Sequence, residues 1–152
     1  MKKAVDVVVV ALSSPLHVGL YEDTVLIEQY SLSEQTSEAL PQIFEKISKT
    51  YRVKQLFFAK GPGSFMSIKV SYIFLKTLSI TLGIPLYATD GFTFNGGAPI
   101  KAMRQLYFVK EDNTIVTKIF ETPQNSFFKL PKVLDKTCFD ENTEPLYMLP
   151  AV

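Results

Sequence analysis

The sequence predicts an α/β fold on a mixed sheet, followed by a reduced second β-containing lobe, and three observations carry that prediction. Three strand candidates open the chain, linked too closely for anything but an antiparallel meander. A helix, a buried strand, a glycine turn, a second helix and a further strand follow. After Asp90 the pattern changes to strand-like segments and scattered prolines. The expected division is residues 1–90 for the first lobe and 91–152 for the second.

The strand candidates are Val5 to Leu12, Leu16 to Tyr21 and Thr24 to Ser31, with a turn at Glu22-Asp23 between the last two. Ser31 and Glu34 have the spacing of a capping box, so the first helix is expected over Ser33 to Lys49, with Pro41 near its first turns. Gln55 to Ala59 reads as a short buried strand leading into Lys60-Gly61-Pro62-Gly63-Ser64. The second helix runs from there to Leu82 and stops at Gly83, and a strand follows over Pro85 to Thr89. Beyond the Gly91 to Pro99 loop, Lys101 to Lys110 and Asn113 to Glu121 read as a hairpin turning at Glu111-Asp112. The remainder, with Pro123, Pro131, Pro145 and Pro150, shows no period and is expected to pack irregularly over the second sheet.

Composition narrows the chemistry. Of 152 residues, 47% are hydrophobic and 12% aromatic, enough for a real core and too many for intrinsic disorder. Sixteen basic and fifteen acidic side chains leave a net charge of +1, so no field of one sign points at nucleic acid or a membrane surface. One cysteine, Cys138, and one histidine, His17, exclude an intramolecular disulfide and any Cys/His zinc cluster. The Met1-Lys2-Lys3 start and the apolar run Ala4 to Leu12 imitate an export signal. Asp6 interrupts that run, its valines suit a doubly buried strand, and no cleavage site follows, so the expected compartment is the cytoplasm, with no membrane partner.

The second helix carries the most information. Phe65, Ile68, Tyr72, Leu75 and Leu82 fall on one face, and Met66, Val70, Ile73, Phe74, Thr77 and Thr81 on the opposite one. A helix lying on a sheet needs only the first stripe. The second is covered either by the chain's own tail or neighbouring helix, or by a protein partner docking helix against helix.

Gly61, Pro62, Gly63 and Ser64 sit between a strand and a helix N-terminus, where anion-binding loops also occur. The segment matches neither a Walker A loop nor a dinucleotide fingerprint. A tight turn with Ser64 as N-cap explains it as well.

These residues resemble a known family. Phe58 to Val70, containing Gly61-Pro62-Gly63-Ser64-Phe65, followed by Gly83-Ile84-Pro85, is similar to the GPGSFTGLR segment, long helix and GIP strand of the TsaB (YeaZ) family. Thr36-Ser37-Glu38-Ala39-Leu40-Pro41 is similar to that family's HSExLxP helix start. The resemblance covers residues 4 to 90, and beyond them only the Leu106 to Glu121 hairpin. It implies a ribonuclease-H-like sheet of the actin and sugar-kinase type. It also implies a non-catalytic partner of a TsaD-like enzyme, acting with a TsaE-like ATPase in threonylcarbamoyladenosine modification of tRNA. Contact with the tRNA itself is expected to be indirect. The docking residues this implies are Met66, Val70, Ile73, Phe74, Thr77 and Thr81, with Leu40 and Phe44 of the preceding helix.

The chain departs from the family pattern at several positions. Val10-Ala11-Leu12-Ser13 stands where the family has IDTS, and an alanine at that aspartate's place holds no magnesium. Met66, Ser67 and Lys69 replace the threonine, glycine and arginine after GPGSF, and Thr36 replaces the histidine of HSE. No catalytic residue, metal site or cofactor is expected. His17 reads as a packed or surface residue, Cys138 as an unactivated thiol and Asp6 as a lone acid. Lys49, Arg52, Lys54 and Lys60 read as a solvated basic face. Two other functions stay open: a small nucleotide- or phosphate-binding enzyme working through Gly61 to Ser64, and a homodimer outside the modification pathway that uses the helix stripe on itself.

Overall fold

The computed structural model describes residues 1–125 and 127–147. Its elements are β1 (Lys3–Val10), β2 (Leu16–Glu22), β3 (Val25–Leu32), α1 (Thr36–Thr50), β4 (Tyr51–Ala59), α2 (Phe65–Leu82), β5 (Leu86–Thr89), β6 (Ile100–Met103), β7 (Leu106–Glu111) and β8 (Thr114–Ile119). The first five strands form one sheet in the order β3-β2-β1-β4-β5. β2 pairs antiparallel with β1 and with β3, while β4 pairs parallel with β1 and β5, so the sheet is mixed. The fold class is the α/β, ribonuclease-H-like one expected, and β6-β7-β8 make a second, antiparallel sheet.

The valine run of β1 explains itself in this frame. Val5, Val7 and Val9 face α1 and α2, among Leu40, Ile47, Phe58 and Leu75. Val8 and Val10 face the other way, among Tyr21, Phe57, Leu130 and Leu134. A central strand buried on both faces draws apolar side chains to both, with Asp6 the buried exception here, and each valine withdrawn from water stabilises the fold by about 1.5–3 kcal/mol.

What covers that second face is a correction to the sequence reading. The tail packs on the second sheet only where it begins, with the Gln124 amide donating to the Tyr107 hydroxyl and Phe128 against Ile100 and Phe108; from Leu130 on, the described residues cross the first sheet from edge to edge. Val133 bridges Val25 on β3, Asp140 bridges Ala88 on β5, and the Leu146 amide donates to the Lys60 carbonyl at 2.8 Å. Leu130 and Leu134 are buried beneath this path, and the Tyr21 hydroxyl donates to the Pro131 carbonyl at 2.7 Å. Without a hydrophobic period such a segment gives no sequence signal, because its order comes from pairing with two strand edges.

Several boundaries also move. β3 runs on to Leu32, and Ser31 is held by its cross-strand partner His17, so the capping box does not form. Helix α1 starts at Thr36 with Gln35 as N-cap and no side-chain cap, and β4 begins at Tyr51, directly at its C-terminus. The strand expected over Lys101 to Lys110 is broken at Arg104, whose φ of +49° turns the chain and yields three strands in place of a hairpin. The β7-β8 turn falls at Asp112 and Asn113, with φ of +49° and +64°, the left-handed pair that a two-residue hairpin turn requires.

Candidate docking face

Helix α2 lies beside α1 on one face of the sheet, yet only Ile68, Ser71 and Leu75 of its eighteen residues are buried. By length and composition alone it is long and apolar enough to cross a membrane, and 17% of it is buried. Leu82 and Phe65, expected on the buried stripe, are 52% and 40% exposed. The Phe65 ring lies 4.8 Å from that of Tyr147.

The two helices meet along one seam. Thr36 donates to the Ser67 hydroxyl at 3.1 Å, and the Phe44 and Phe74 rings pack 5.4 Å apart at 56°. Above this contact runs an open groove of about 410 Å³ between Thr36, Ser37 and Pro41 on α1 and Val70, Ile73, Phe74, Thr77, Leu78 and Thr81 on α2. The sequence-derived residues Val70, Ile73, Phe74, Thr77 and Thr81 all line it. Met66 and Ile73 are exposed, at 62% and 53%.

Leu40 and Phe44 are the exceptions. Leu40 is fully buried and Phe44 is 7% exposed, both in the core against the sheet, so neither presents a surface to a partner. Their helical spacing placed them on the apolar face of α1, but that face points inward. Phe44 instead sets the position of Phe74 from beneath. Ile80, 72% exposed, belongs to the apolar surface and is absent from the sequence-derived set. Its spacing of seven from Ile73, itself seven from Met66, is the signal that finds it.

The tail leaves this groove open among the described residues, because it lies on the opposite face of the sheet. Among the described residues the tail therefore does not cover the second stripe.

The Gly61 to Ser64 loop is a packing joint. A Cβ at Gly63 would stand 2.8 Å from the Leu12 carbonyl oxygen, and one at Gly61 2.9 Å from the Leu146 oxygen. Gly61 also has φ of +117°. The Ser64 amide donates to the Leu12 carbonyl at 2.9 Å, and the Gly91 amide to the Gly61 carbonyl at 2.8 Å. Ser64 is the N-cap residue, as expected, but its side chain makes no capping bond. Beside the joint a cleft of about 380 Å³ is walled by Leu12, Phe65, Ile68, Met103 and Tyr147, with Lys101 as its one charged lining residue.

The remaining candidates are scattered. His17 Nδ1 lies 2.9 Å from the Ser31 hydroxyl, a pairing invisible in the sequence order because it depends on strand register. Burial pushes the His17 pKa below its ordinary 6.5. Cys138 is exposed, and its thiol is pushed up by desolvation and then by the Asp135 carboxylate. Asp6 is buried and meets Lys136. In the basic group, Lys49 pairs with Glu45 and Lys60 donates to the Asn142 carbonyl, so the four cations do not converge. No cluster of three or more His, Cys, Asp or Glu that could hold a metal occurs among the described residues.

No family model matches the sequence, and no curated protein matches it. Solved structures do. YeaZ from Pseudomonas aeruginosa matches with a TM-score of 0.59 and 12% identity, over 81% of this chain and 66% of that one. A protein described as uncharacterized, with similarity to peptidase YEAZ from Pseudomonas aeruginosa, matches with a TM-score of 0.55 and 12% identity, over 82% of this chain and 66% of that one. The chain thus spans just under two thirds of the length of these structures. What it has in common with them is the fold, with its five-stranded, ribonuclease-H-like mixed sheet.

Proposed function

We propose that this chain is a TsaB-like, non-catalytic partner of a TsaD-like enzyme in the threonylcarbamoyladenosine modification of tRNA, with a TsaE-like ATPase in the larger complex. It docks through the α1/α2 face. The observation that carries the reading is the open apolar groove over Val70, Ile73, Phe74 and Thr77 on a YeaZ-like fold. Exposed apolar surface of this kind is costly in water and gains by helix-on-helix burial. The similarity of Gly61 to Phe65 and Gly83 to Pro85 to the family's segments supports the same assignment.

The enzyme alternative loses support at the loop. Ser64 spends its amide on Leu12, and the glycines make close contacts with backbone. The peptidase description attached to one structural neighbour has little to draw on: Ser31 and His17 are strand neighbours, with no carboxylate bonded to the ring among the described residues. The experiment is capture of the tagged chain from its native cell, with Ile73→Asp as the control. A TsaD-like protein is expected with the wild type and absent from the variant. Its absence from both overturns the reading.

A further inference from the structure

Given that reading of the docking face, we infer that α2 selects a partner helix carrying carboxylates on one flank over the α2 of a second copy. The exposed surface of α2 has a coiled-coil seam. Met66, Val70, Ile73, Thr77 and Ile80 follow at alternating steps of four and three, the period that keeps one line of side chains against a partner helix. Met66, Ile73 and Ile80, at every second step, are 62%, 53% and 72% exposed.

The two flanks of this seam differ. One turns toward α1 through Phe74 and Ser67, which meet Phe44 and Thr36. The other carries Lys69 and Lys76, seven residues apart and each three residues after a seam position. Both lysines are exposed, and neither has an ion pair or hydrogen bond among the described residues. Helix α2 contains no aspartate or glutamate to neutralise them. Flanking charges beside an apolar seam choose the partner and its orientation, because opposite charges steer the encounter and like charges reject it.

Helix α2 of a second copy fits this flank poorly. In an antiparallel pairing of α2 with itself the lysine flank faces the lysine flank. In a parallel one it faces Ser67, Phe74 and Thr81, none of them acidic. A helix with glutamates or aspartates opposite Lys69 and Lys76 satisfies both cations while its apolar residues enter the seam and the groove beside it.

Two labelled peptides of about four heptads test this. Both carry the same leucine and isoleucine seam; one has glutamate and the other lysine at every flanking position, so neither pairs with itself. In fluorescence anisotropy at low salt the glutamate peptide is expected to bind at least about tenfold tighter, with the difference shrinking at high salt. The Lys69→Glu/Lys76→Glu variant, which changes exposed side chains only, reverses the preference. Equal affinities, no reversal, or no binding of either peptide overturns the inference. The outcome is separable from the family reading. A TsaD-like protein that still binds regardless of lysine charge sinks the charge argument alone. Intact peptide selectivity with no TsaD-like binding sinks the pathway assignment alone.

Discussion

Asp6 and Lys136 come from opposite ends of the chain and meet with Oδ2 and Nζ 2.9 Å apart, the carboxylate 1% exposed within β1 and the lysine reaching down from the tail. Lys136 also donates to Gln55 Oε1 at 3.0 Å and lies over the Phe57 ring. The pair pins the tail to the middle of the sheet. No other cation is paired with Asp6 among the described residues, so the carboxylate depends on this lysine.

Lys136→Met is therefore expected to destabilise the fold by about 1–3 kcal/mol, less than a fully buried pair would lose because the lysine is partly open to solvent. The Asp6→Leu/Lys136→Met double variant removes the orphaned charge and recovers most of the loss. Urea unfolding of the wild type and both variants measures this. A double variant less stable than the single one would contradict the account.

His17 gives a pH dependence with a definite sign. Burial lowers its pKa in the folded state, so between the folded value and 6.5 the unfolded chain binds the extra proton. Stability from this residue is present above about pH 6.5 and is lost as the pH falls below it. Compared with His17→Asn, the wild type should lose stability on acidification from pH 8 to pH 5. A wild type that gains relative to the variant would reverse the sign and refute the burial argument.

Surface and support separate cleanly by substitution. Ile73→Asp changes an exposed side chain and is expected to alter stability by no more than about 0.5 kcal/mol. Leu40→Asp buries an unpaired charge in the core and is expected to cost more than about 4 kcal/mol, enough to unfold a marginal chain. Thermal melts of the two distinguish them, and similar losses would mean that the face is not free.

Gly63→Ala tests the packing joint. Its Cβ would meet the Leu12 backbone and Cβ at 2.8–2.9 Å, so a loss of about 1–3 kcal/mol is expected. Gly83→Ala meets open space and pays only for its φ of +66°, about 1 kcal/mol. Equal effects at the two glycines would remove the steric argument.

How much of this the sequence held depends on what kind of force places each element. The β1 valines, the α2 apolar stripe and the Gly83 stop were legible because burial and local backbone preference write a period into the chain. The tail, the His17 and Ser31 pairing and the Asp6 and Lys136 contact were not, because each depends on strand order and register fixed at long range. Leu40 and Phe44 were misplaced for a related reason: an apolar helix face looks the same whether it meets a sheet or a partner. Only the location of α1 on the sheet decides between them.

The most direct measurement is calorimetric titration of the purified chain with the TsaD-like protein of the same cell, for the wild type and for Ile73→Asp. The account predicts one-to-one binding for the wild type and an affinity at least about tenfold weaker for the variant, a loss of about 1.4 kcal/mol or more, with its melting temperature unchanged. Binding of equal strength by the two proteins, or no binding by the wild type, would contradict it.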